Sequence, residues 1–150
     1  MSHDFHILLV DDSPTDVKII ERALRESGVQ HRLTVMHDGT DALEYMVRAR
    51  DSEFYEQEIP DLILLDLNLP GIDGGQVLLV IKNDPELRSI PVVVLTTSRR
   101  DDDVSRIYAN GANTFIEKPS EYPRYCDLVS MLDLYWREVA VPPPRRRPRL

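Results

Sequence analysis

Five short, mostly apolar runs constrain this chain most: Ile7–Val10, Leu33–Met36, Leu62–Leu65, Val92–Leu95 and Thr114–Ile116. Each is too short for a helix and reads as a strand, and the continuous ones suit burial on both faces of a sheet. Helical patterns fall between them. Ser13-Pro14 forms an N-cap with proline at the first helical position; Val17, Ile20 and Leu24 follow at helical spacing, and Gly28 stops the helix. Asp38-Gly39 reads as a turn before a face of Ala42, Leu43, Met46 and Val47, and Asp51–Pro60 as a polar loop. Val77–Ile81, then Val104, Ile107 and Tyr108, then Leu128, Val129, Leu132 and Tyr135 within a last helix around Tyr122–Val139 complete the alternation. Five β-α pairs predict an α/β fold, a parallel sheet with helices on both faces. One domain is expected over residues 5–138, followed by a Pro/Arg-rich tail, 139–150, that cannot form a packed core and is expected to be extended and flexible.

In open parallel sheets, ligands gather outside the carboxyl ends of the strands. The residues just past the apolar runs are Asp11-Asp12, Asp66, Thr96-Thr97 and, two positions beyond Ile116, Lys118. Two like charges ~4 Å apart repel by about 1 kcal/mol in water, and by about 4 kcal/mol at an effective dielectric of ~20. A cation held between the carboxylates would relieve that. Oxygen ligands from Asp11, Asp12 and Asp66 suit a hard divalent ion, best Mg²⁺, which needs one or two carboxylates and keeps several waters. Asn68, two residues past Asp66, can add its backbone carbonyl from a loop shaped by Pro70, Gly71 and Gly74. With the Lys118 ammonium and the Thr96 hydroxyl on the same rim, these are the parts needed to stabilise a transferring phosphoryl group. Asp66, alone at the end of the central run, is the expected nucleophile. Individually each residue has a plain structural reading as a helix cap, turn or surface side chain. The set stands out because every member falls at the same end of a strand.

Composition narrows the classes. Net charge is −8, and without the four arginines at 145, 146, 147 and 149 the body holds 14 basic against 26 acidic residues. Such a body argues against nucleic-acid binding and is compatible with cation binding. The single cysteine, Cys126, excludes an intramolecular disulfide and reads as a small core residue, which fits a reducing cytoplasm. No stretch is long enough to span a bilayer, and no membrane association is expected. "DDSPTD" offers no glycine for a pyrophosphate and puts negative charge where one would sit, which rules out dinucleotide binding.

"LLVDDSPTD", "DLILLDLNLPGIDG", "IPVVVLTTS" and "FIEKP" resemble, in order and spacing, the four signature blocks of response-regulator receiver domains of two-component signalling, over about residues 5–138. The resemblance implies a flavodoxin-like, doubly wound sheet of strand order 2-1-3-4-5. It implies that Asp66 is the phosphoacceptor, that Asp11, Asp12 and the Asn68 carbonyl complete a Mg²⁺ site, and that a sensor histidine kinase supplies the phosphoryl group. Thr96 matches the switch hydroxyl, Lys118 the lysine that pairs with phosphate, and Pro119 a proline usually preceded by a cis peptide. Phe115 stands where the family's switch aromatic is often tyrosine, so an inward swing would make no hydroxyl bond. The long loop Asp51–Pro60 and the extended "LDLYWREVAVPPP" are similar to phytochrome-associated, stand-alone response regulators.

With twelve residues after Glu138, no DNA-binding domain is expected, and output is expected through contact with an unidentified downstream protein. Tyr135 and Trp136 are candidates for burial against a second subunit, as a homodimer through the C-terminal face. Catalysis is expected only of the chain's own phosphorylation and dephosphorylation. Two alternatives stay open: a Mg²⁺-dependent phosphohydrolase with an aspartyl-phosphate intermediate, disfavoured because position 68 is not a second acid, and a pseudo-receiver that takes no phosphate.

Overall fold

A computed structural model describes residues 4–97 and 100–143. The elements run β1 Phe5–Val10, α1 Pro14–Glu26, β2 His31–Met36, α2 Gly39–Asp51, a single-turn α3 Tyr55–Glu58, β3 Leu62–Leu65, α4 Gly74–Asn83, β4 Val92–Thr96, α5 Asp101–Ala109, β5 Thr114–Glu117 and α6 Tyr122–Asp133. All strand pairings are parallel, in the order β2-β1-β3-β4-β5 that the resemblance implied. Residues 144–150, with the arginine cluster of the expected tail, lie outside the described residues.

The apolar runs are continuous because the sheet is covered on both faces and successive side chains point to opposite sides. Leu8, Val10, Ile63, Leu65, Val92 and Val94 face one way, onto Ala42 and Met46 of α2 and Val77, Leu78 and Ile81 of α4. Ile7, Leu9, Leu62, Leu64, Val93 and Leu95 face the other, onto Val17, Ile20 and Leu24 of α1 and Leu128 and Val129 of α6. A one-residue slip of any central strand would exchange these two sets, so the double burial fixes the register. The edge strands β2 and β5 are only partly buried, which is why their sequences tolerate His31, Arg32 and Glu117.

Three local expectations need correction. Asp38-Gly39 is not a free turn: Asp38 caps α2, its Oδ1 accepting the Asp41 N–H at 2.7 Å. The stretch Asp51–Pro60 contains α3, pinned because Tyr55 and Ile59 are buried. Tyr55 Oη donates to the Glu86 carbonyl at 3.2 Å, and Tyr45 Oη to the Glu58 carbonyl at 2.9 Å. Polarity hid two anchors in that loop. The last helix is not uniform either. α6 gives way at Leu134 to a π-helical segment, Leu134–Val139, closed by the Ala140 N–H donating to the Tyr135 carbonyl. Trp136, spaced four and eight residues after Leu132 and Leu128, packs partly against the protein's own core beneath α1 and α6, while Tyr135 beside it is exposed.

The loop after β3 is held by close approach. Gly74 donates its N–H to the Leu67 carbonyl at 3.0 Å, and a Cβ on Gly74 would lie 2.1 Å from the Asp66 carbonyl oxygen and 2.7 Å from Leu67 Cα. Both are backbone atoms that cannot rotate away. Gly74→Ala is expected to destabilise the fold by about 1–3 kcal/mol, read as a lower urea midpoint at unchanged slope.

Candidate functional site

The sheet's own hydrogen-bond ladder runs one residue past the strand ends and fixes the site's backbone. The Asp11 N–H donates to the Met36 carbonyl, the Asp66 N–H to the Val10 carbonyl, each at 3.0 Å, and the Lys118 N–H to the Thr96 carbonyl at 2.8 Å. Four strands thereby deliver Asp11, Asp66, Thr96 and Lys118 to one rim, as strand ends alone predicted.

There Lys118 Nζ reaches Asp11 Oδ2 at 2.7 Å and Asp66 Oδ2 at 2.8 Å. A third carboxylate, Asp16 Oδ2, accepts from the same nitrogen at 2.8 Å. The remaining oxygens of the two buried acids are also engaged. Asp11 Oδ1 accepts the Ser13 N–H at 2.9 Å and Asp66 Oδ1 the Asn68 N–H at 3.1 Å. Thr96 is fully buried, and its Oγ1 accepts from Asn68 Nδ2 at 3.2 Å. Asp12 is exposed, yet it offers a carboxylate oxygen that lies within 4.8 Å of one from Asp11 and one from Asp66. That trio, all hard oxygen donors, is a fitting holder for a divalent cation.

Electrostatics follow from burial. Burial pushes the Asp11 carboxyl above its usual range, against the lowering effect of Lys118 and the Ser13 N–H. Burial alone would lower the Lys118 ammonium, but hydrogen bonds to Asp11, Asp16 and Asp66 outweigh it and hold the group above the ordinary lysine range. The ammonium thus offsets the repulsion between the buried Asp11 and Asp66; its bonds run to these two and to Asp16 rather than to Asp12. One positive charge among Asp11, Asp12, Asp16 and Asp66 still leaves the rim anionic.

Sequence reasoning missed Asp16. It sits in the first turn of α1, its N–H capped by Ser13 Oγ at 3.2 Å. The signal was helical phase: Asp16 lies one turn before Ile20, on the face that α1 turns to the sheet. Phe115 is half-buried against the core on the α2–α4 face, and its N–H donates to Tyr108 Oη of α5 at 3.0 Å. The cis peptide expected before Pro119 is absent. No peptide among the described residues is cis, and Lys118 meets its partners through the intrinsically favoured trans bond.

Lys118→Met would leave Asp11 and Asp66 buried without their cation. At neutral pH a loss of about 3–5 kcal/mol in urea unfolding is expected. The Asp11 carboxyl, already raised in the folded state, would rise further, so the folded state binds more protons than the unfolded one above the ordinary aspartate range. The deficit should therefore shrink as pH falls toward 4.

Residues 7–130 match the family described as response regulator receiver domain. Response regulator Rcp1 of Synechocystis sp. is 38% identical over 137 residues, 91% of this chain and 92% of that protein. The probable methanogenesis regulatory protein FilR2 of Methanothrix harundinacea is 41% identical over 132 residues, 88% of this chain and 83% of its own. Among solved structures, the phosphorylated cyanobacterial phytochrome response regulator RcpA superposes with a TM-score of 0.84 at 38% identity, covering 95% of this chain and 100% of that one. The Mn²⁺-bound form of response regulator Rcp1 gives 0.80 at 37% identity, covering 93% and 99%. Strand order, the acidic rim with its lysine, and matches spanning nearly the whole of these proteins agree: the chain belongs to the response-regulator receiver family.

Proposed function

We propose that this chain accepts a phosphoryl group on Asp66 from the phosphohistidine of a sensor histidine kinase, in a Mg²⁺-dependent transfer, and signals by a change of surface. The observation that carries the reading is the Asp66 carboxylate itself. It is buried at the end of the central strand, bonded to Lys118 at 2.8 Å, and grouped with Asp11 and Asp12. Those acids and the Asn68 backbone carbonyl would hold the Mg²⁺, which supplies charge neutralisation of the phosphoryl oxygens. One oxygen of Asp66 attacks phosphorus in line, a P–O bond forms, and the donor's P–N bond breaks with its electron pair leaving on the imidazole. Lys118 needs no large movement, since its nitrogen already lies within hydrogen-bond distance of the attacked side chain. Attack of water on phosphorus later releases phosphate and resets Asp66.

The new group adds about −1.5 to −2 charge beside Lys118 and Thr96. For Thr96 Oγ1 to turn toward it, the bond from Asn68 Nδ2 must be given up. That turn makes room for Phe115 to move further into the core, altering the surface of α5, β5 and α6. Similarity to the cyanobacterial phytochrome response regulator RcpA supports a phytochrome as the kinase partner. The reading places the protein in the cytoplasm and its unit of function over residues 5–138, with output through protein contact. Homodimerisation through the C-terminal face is supported by Met131 and Tyr135, 62% and 52% exposed on adjacent turns.

Acetyl phosphate with Mg²⁺ is expected to add the mass of one phosphoryl group, mapped to Asp66. Omission of the metal, or Asp66→Asn, should abolish the adduct, and full labelling of that variant would refute the assignment. In sedimentation velocity the protein should run as a dimer. Tyr135→Asp, on an exposed side chain, should shift it to monomer without lowering its melting temperature.

A further inference from the structure

We propose that Asp16 is a positioning residue that competes with the phosphoryl group for the Lys118 ammonium and thereby sets how readily Asp66 is phosphorylated. This rests on the reading of Asp66 as the acceptor. An ammonium has three N–H donors and no acceptor. At Lys118 all three are committed, to Asp11 at 2.7 Å and to Asp16 and Asp66 at 2.8 Å each. A phosphoryl oxygen can gain an N–H there only by displacing one of them.

The three carboxylates are not equally displaceable. The Asp11 side chain is 1% exposed and its second oxygen holds the Ser13 N–H, so freeing it from Lys118 would strand a buried anion. Asp66 loses its charge on taking the new group and passes its Lys118 N–H to one phosphoryl oxygen, so a second N–H for that group has to come from another carboxylate. The Asp16 side chain is 25% exposed, so water can replace the ammonium at its carboxylate. Its anchor to the helix cap is the backbone N–H on Ser13 Oγ, which stays in place when the carboxylate swings. In the resting protein Asp16 thus keeps one Lys118 donor occupied and adds a fourth negative charge near an approaching anionic donor. Both raise the barrier to transfer.

The test uses the full chain with saturating Mg²⁺ and acetyl phosphate, following adduct formation by intact mass. Asp16→Asn removes the charge and keeps size and cap. It should be labelled about fivefold faster, the rate equivalent of about 1 kcal/mol less ground-state pairing. Asp16→Glu restores the charge and should stay within about twofold of the unmodified sequence. Equal or slower labelling of a cooperatively melting Asp16→Asn protein overturns the role, as does equal acceleration by Glu, which would mark a merely steric effect. If the Asn protein lacks a cooperative transition, Asp16→Ser replaces it under the same criteria. A wild-type chain that takes no phosphoryl group overturns the Asp66 reading and this role with it. A labelled wild type with unaccelerated charge-removal variants overturns the role of Asp16 alone.

Discussion

The Lys118 ammonium, shared by three carboxylates, is the interaction on which the rim depends. Without it, Asp11 and Asp66 would be anions buried at the ends of adjacent strands with only backbone N–H groups for support. Its reach is possible because β5 lies in the same parallel sheet as β1 and β3. The Lys118 N–H is tied to the Thr96 carbonyl, so the side chain starts from a fixed point and spans toward α1. One cation thereby joins β1, β3, β5 and α1 electrostatically. The fold and the site are consequently not separable: the ion cluster is also a clasp across the top of the sheet.

Much of this was readable in the residues. Runs apolar at every position announced strands covered twice, and each polar residue following a run announced its place on the rim. The distance in sequence between Asp11 and Lys118 was no obstacle, because parallel topology returns every strand end to the same edge. What stayed hidden shares a physical cause. Asp16 is polar on a helix that is otherwise polar on its solvent face, so only helical phase separates it from its exposed neighbours Pro14, Thr15 and Lys18. Tyr55 and Ile59 are two anchors in a stretch dominated by acids. Tyr135, counted by spacing on the apolar face of the last helix, is exposed, and its neighbour Trp136 packs partly on the core instead.

Charge balance explains why an acidic body and a lysine both matter. Four carboxylates around one ammonium make a site that is held together yet remains under-neutralised. Full neutralisation would leave nothing to attract a divalent ion; no lysine would leave the acids mutually repelled. The exposure gradient, from Asp11 through Asp66 to Asp16 and Asp12, adds direction. Buried members set geometry, and open members can exchange partners with solvent without disturbing the core.

The single turn α3 illustrates a freedom that the architecture grants. α2 descends from the rim, so whatever is spliced between α2 and β3 emerges where β3 begins, four residues and about 13 Å below Asp66 at the usual rise per residue. Its tyrosine anchors onto the Glu86 carbonyl in the stretch leading to β4, also at the lower end. Lengthening or rewriting that splice leaves every rim atom where the sheet puts it. The lower end of this scaffold is accordingly a place where new recognition elements can be grafted while the phosphate chemistry above is inherited intact.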